Sequence, residues 1–159
     1  IRSIELRFTK ESANSLKLDQ KGNSEWHIQP MFPNEMLLNK AQNVARVKSF
    51  VINLLDLKAG RITRSIPGES VEETKSRQPE VLVNITGQDS IVHEFFIYQA
   101  LRRNQQGEII EGQTELYSPR QVMPTYYILA PNDFWYSVSF TKLNNILKSL
   151  DYFYDEDTN

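Results

Sequence analysis

The sequence predicts an α+β fold: a mainly antiparallel sheet of about seven or eight short strands, packed on one long helix at about residues 40–58 and a short C-terminal helix at about residues 142–150. Three observations predict it. Short runs of alternating apolar and polar residues recur between turn-forming clusters, the period-two pattern of half-buried strands. The stretch Asn39–Gly60, NKAQNVARVKSFVINLLDLKAG, places apolar residues at three- and four-residue steps, the period of a helix with one buried stripe. A second, shorter stripe of Leu143, Ile146, Leu147 and Leu150 follows Thr141 near the end of the chain.

Taken in order, Ile1–Thr9 turns Ile4, Leu6 and Phe8 to one face and Arg2, Glu5 and Arg7 to the other. Ser15–Asp19 repeats the pattern with Leu16 and Leu18, and the polar turn Lys21–Ser24 leads to Glu25–Gln29, where Trp26 and Ile28 alternate with Glu25 and His27. A three-stranded meander is expected, ended by Pro30 and Pro33 because proline cannot donate to a ladder. Asn39 then reads as the N-cap of the long helix, with Gln42 completing a capping box and Gly60 as its C-terminal stop. A rival start at Asn34 adds one turn. Val44, Val47, Val51, Leu54 and Leu55 form the stripe, flanked by Ala41 and Phe50, while Lys40, Asn43, Arg46 and Asn53 lie off it. Val51→Asp is therefore expected to unfold the protein and Arg46→Ala to leave folding nearly untouched.

Arg61–Glu80 has almost no apolar periodicity and reads as a long polar surface loop, either mobile or serving as a partner contact or lid. Glu80–Gly87 is the cleanest strand. Ile91–Leu101 is apolar on both faces, as befits a strand in the middle of a sheet. After the polar turn Arg102–Gly107, Glu108–Tyr117 alternates weakly and is expected near an edge; Thr125–Ala130, the turn at 131–133 and Phe134–Phe140 complete the strands. Residues 1–150 are expected to form one domain, and Asp151–Asn159 an acidic, frayed tail. No sequence repeat is evident, though both halves run strands first and helix last, an order compatible with a structural duplication.

The 18 basic and 20 acidic groups give a net charge of −2, which argues against nucleic acid, since that ligand rewards concentrated positive charge. Cysteine is absent, which excludes disulfides and thiolate chemistry. No run approaches the ~20 apolar residues of a membrane span. The chain opens on Ile1, not methionine, and a removed signal peptide or N-terminal anchor is the expectation that accompanies this start.

No chemical motif stands out, and no cofactor is expected. His27 and His93 lack the neighbours of a zinc site. Asp89, Ser90 and His93 fall within five residues of one another, whereas a working triad draws on separated elements. The six glycines make no phosphate-binding loop. Glu69, Glu72 and Glu73 read as solvated. Tyr126, Tyr127, Phe134, Trp135 and Tyr136 cluster in sequence; core packing is the plain reading, and a partner or ligand surface, with Arg102 and Arg103 at a nearby hairpin tip, is the functional one.

The run IRSIELRF, the strand–turn–tryptophan segment SLKLDQKGNSEWHIQP, the helix NVARVKSFVINLLDLKAGR, the strands VLVNITG and PTYYILAP and the segment FTKLNNILKSL resemble, in that order, a domain of unknown function, family 4340. That family occurs in bacterial envelope proteins, often beside gliding-type ABC transporter components. The Arg102–Pro119 hairpin region is longer here than in the family's pattern. The resemblance implies a non-catalytic, periplasmic or otherwise extracytoplasmic binding or scaffold domain, membrane-anchored through a segment upstream of this chain and serving a protein partner such as an export complex. A hydrolase with its site under residues 61–80 and a small-ligand or carbohydrate binder using the C-terminal aromatics are the rival expectations.

Overall fold

The computed structural model describes residues 1–22, 25–37, 40–56, 61–63, 69–101, 106, 125–131 and 133–155. Eight strands form one sheet: β1 (Ser3–Phe8), β2 (Leu16–Lys21), β3 (Glu25–Pro30), β4 (Arg61–Thr63), β5 (Val81–Thr86), β6 (Val92–Gln99), β7 (Thr125–Leu129) and β8 (Trp135–Ser139). Their order across the sheet is β3-β2-β1-β5-β6-β7-β8-β4, and every neighbouring pair is antiparallel. The α+β class with a dominant antiparallel sheet holds.

Alternation sets the two faces. Ile4, Leu6, Leu16, Leu18 and Ile28 are buried on one of them and continue across β5–β8 through Val83, Ile97, Ile128 and Val138 into a single core. β6 is two-sided in its second half, as expected, with Ile97 in that core and Tyr98 in a smaller cluster opposite. Its first half differs: Ile91 and Val92 are exposed beyond the β5–β6 turn.

The helices are shorter than the sequence implied. The first, α1, spans Val44–Leu55, with Asn43 as N-cap accepting from the Arg46 N–H, and it ends at Asp56. Asn39 and Gly60, the expected boundaries, lie outside the described residues. Gln42 is not a capping-box partner; its side chain donates to the Ile28 carbonyl, and its backbone bridges to Tyr154. That tertiary pairing holds Ala41–Asn43 out of the helix. The inward face is Val47, Phe50, Val51 and Leu54, so Phe50 is central rather than flanking, and Val44, at 71% exposure, and Leu55 point to solvent.

Residues 61–80 are not a featureless loop. β4 pairs with β8 at the sheet edge, and α2 (Val71–Ser76) begins with Ser70, whose hydroxyl accepts from the Glu73 N–H. The expected helix at 142–150 is replaced by α3 (Phe140–Asn144), capped by Ser139 rather than Thr141, and a separate 3-10 turn at Leu150–Phe153. The expected frayed tail is instead packed as far as Tyr154: Phe153 is fully buried and meets Phe50 edge-on with ring centres 5.0 Å apart. Residues 156–159 and the strand expected at 108–117 lie outside the described residues. Among the described residues no helix is long and apolar enough to cross a membrane.

Candidate functional site

α1 packs against β3 at one side of the sheet's inner face, while α3 follows β8 at the other. Between them the sheet carries a half-open recess of about 260 Å³ over β5–β8. Its floor is Val83, Ile97, Ile128 and Val138, all buried. Leu54 from the last turn of α1 and Ile146 from the turn after α3 wall it from the helical side. Ile85, Phe95 and Tyr136 are half-buried around it. The Tyr136 hydroxyl is the single side-chain heteroatom in this lining. Recognition in such a space rests on removing hydrocarbon from water, at roughly 25 cal/mol per Å².

The expected aromatic surface is split by the pleat. Tyr136 joins the recess, and Tyr126, on the same face, stacks on Phe140 with ring centres 6.3 Å apart. Tyr127 and Trp135 lie on the opposite face, buried with Tyr98 and Leu129, against which Val71 of α2 packs. Arg102 and Arg103 lie outside the described residues. The aromatics therefore form no single groove: two face the core side and two are covered on the other.

Beside the second cluster lies a polar knot. The Glu69 side chain is fully buried; it accepts from the Thr74 hydroxyl at 2.8 Å and the Leu101 N–H at 2.6 Å, and pairs with the Arg77 guanidinium. Arg77 also donates to the Gln99 carbonyl and lies over the Tyr98 ring, 5.9 Å from its centre. Glu69 is thus a structural tie between α2 and the sheet, not the solvated carboxylate its polar surroundings implied. Burial raises the Tyr98 and Tyr127 phenols above their usual range; Arg77 opposes the shift at Tyr98 and Glu69 adds to it at Tyr127.

His27 sits on the outer face of β3, one residue from buried Ile28, whereas His93 is exposed on β6, on the inner face, directly across from Ile85. The two histidines and Glu69 do not converge. Asp89 and Ser90 occupy the β5–β6 turn, where the Asp89 carboxylate accepts from the Ile91 N–H and Ser90 takes a positive φ of 65°. Among the described residues no three His, Asp or Glu side chains form a metal-binding group.

Apart from Tyr136, which the sequence places in the aromatic cluster, the residues of the recess are ones that the sequence marks simply as core. Alternation assigns them to the inner face but cannot show that the helices leave them incompletely covered. The start of α2 beside Glu69 carried a readable signal, the S-x-x-E pattern of Ser70 and Glu73, but nothing local marked Glu69 itself as buried. Comparison with protein-family models, with curated proteins and with solved structures gave no match.

Proposed function

We propose that this chain is a non-catalytic binding domain of a membrane-anchored envelope protein, acting outside the cytoplasm as an accessory to an ABC-type export complex. The observation that carries the binding role is the recess: the sheet presents a concave, hydrocarbon-lined space between two helical covers. Burial of an apolar group there provides affinity without any proton transfer. The envelope setting is supported by the resemblance of the order of sequence segments to that of family 4340. Contact with a protein partner is supported by Ile91 and Val92, more than half exposed beyond the β5–β6 turn, an arrangement suited to a hairpin-borne interface.

Affinity recovery of the full-length protein from solubilised membranes tests the proposal. Co-recovery of transporter components, weakened by Val92→Glu, is the expected result. A full-length protein found in the cytosol, untethered and alone, would overturn it.

A further inference from the structure

We infer that the recess is a binding site for one uncharged hydrocarbon chain of about ten carbons, the tail of an amphiphile whose head remains in solvent. The inference rests on the binding role proposed above and names its ligand. Size decides first. An apolar cavity of about 150 Å³ accepts benzene, so the 260 Å³ here corresponds to roughly ten carbons. A helix from a protein partner, about 10 Å across with its side chains, needs a far broader trough, and a standard interface buries about 800 Å² on each partner.

Chemistry decides next. Among the described residues the lining contains no charged side chain, so an ionised group entering it would lose its hydration and gain no counter-charge from them. The floor of Val83, Ile97, Ile128 and Val138 is aliphatic, with Leu54, Ile85 and Ile146 adding to it beside Phe95 and Tyr136, a mostly aliphatic lining that suits a flexible hydrocarbon chain. Polar surface begins beside the recess: exposed His93 stands across from Ile85 on the same face of the sheet. A chain therefore fits tail inward, with its head beside β6.

Isothermal titration calorimetry with a series of linear alkanols tests this directly on the folded chain. Each added CH₂ is expected to tighten binding about fourfold, up to about ten carbons, and then no further. Ile85→Trp, which adds bulk at a half-buried position of the lining, is expected to abolish alkanol binding while its thermal midpoint and circular dichroism report a folded protein. Failure of decanol to bind saturably, a series without a length limit, or full binding by folded Ile85→Trp would each overturn the site. Should that variant not fold, the length series on the unaltered chain decides alone. Partner recovery from membranes is read separately: loss of partners with chain binding intact removes the envelope reading and leaves the site standing.

Discussion

Arg46 stands on the polar side of α1, where the helical period assigns it to water, yet its guanidinium donates to the carbonyls of Tyr152 and Tyr154 at 3.2 and 3.3 Å and lies over the Tyr152 ring. The side chain therefore fastens the end of the chain to the helix. Arg46→Ala is expected to lower stability by about 1.5–3 kcal/mol, the range for hydrogen bonds made by a charged group, measurable as a reduced urea midpoint. This corrects the expectation that the substitution is silent. Glu69 makes a sharper case because its carboxylate has no exposure. Removing it leaves the Arg77 guanidinium, the Thr74 hydroxyl and the Leu101 N–H without their shared acceptor. Glu69→Ala should therefore cost about 3–5 kcal/mol, with α2 the first element to show increased amide exchange. Along α1, Val51→Asp puts an unpaired charge into the core and should unfold the protein, whereas Val44→Asp, at a largely exposed position, should change the urea midpoint little.

Among the elements, the segment after Leu150 departs furthest from its composition. Phe153 is enclosed by Phe50 and Tyr152, both edge-on. Nearby, Asn43 N–H donates to the Phe153 carbonyl and Asp155 N–H to the Ala41 carbonyl. Phe153→Ala is expected to cost about 3–5 kcal/mol, read by thermal or urea unfolding. The sequence conveys acidity here, and the acidic residues mask three consecutive aromatics that need a partner too distant in the chain to be inferred. The same clasp explains the displaced start of α1. Asn39 and Asn43 are equally good caps, four residues apart; pairing of residues 41–43 with the chain end selects the second. β1, β2, β3 and β5 were legible because alternation over five or six residues is a local property. α2 showed no helical period, since six residues are too few to display one, and its local sign was the capping pattern at Ser70 and Glu73. For the site, the inner-face assignment of the lining was legible, but the gap between α1 and α3 depends on where each helix stops, at Leu55 and Asn144, and the apolar periodicity runs past both points.

At the scale of the whole molecule, four tyrosines spread over both faces make the fold sensitive to alkali. Burial raises the phenols of Tyr98, Tyr126, Tyr127 and Tyr154 above the ordinary value of 10.0. The folded state thus holds these protons more tightly than the unfolded chain. Their stabilising contribution is complete below pH 10.0 and is lost as pH rises from there through the folded-state values. A thermal midpoint insensitive to these groups at neutral pH should fall above pH 10.0, with phenolate absorbance appearing together with unfolding.

The sheet order carries a kinetic consequence. β4 belongs by sequence to the first half of the chain but completes the far edge of the second, beside β8, through only three registered residues. So short a strand is the natural first piece to detach, and its release would bare a row of unpaired backbone donors and acceptors on β8. The β8 amides that face β4 should exchange with deuterium sooner than those that face β7. At high concentration, the vacated edge offers a route to dimers in which β4 of one molecule completes the sheet of another.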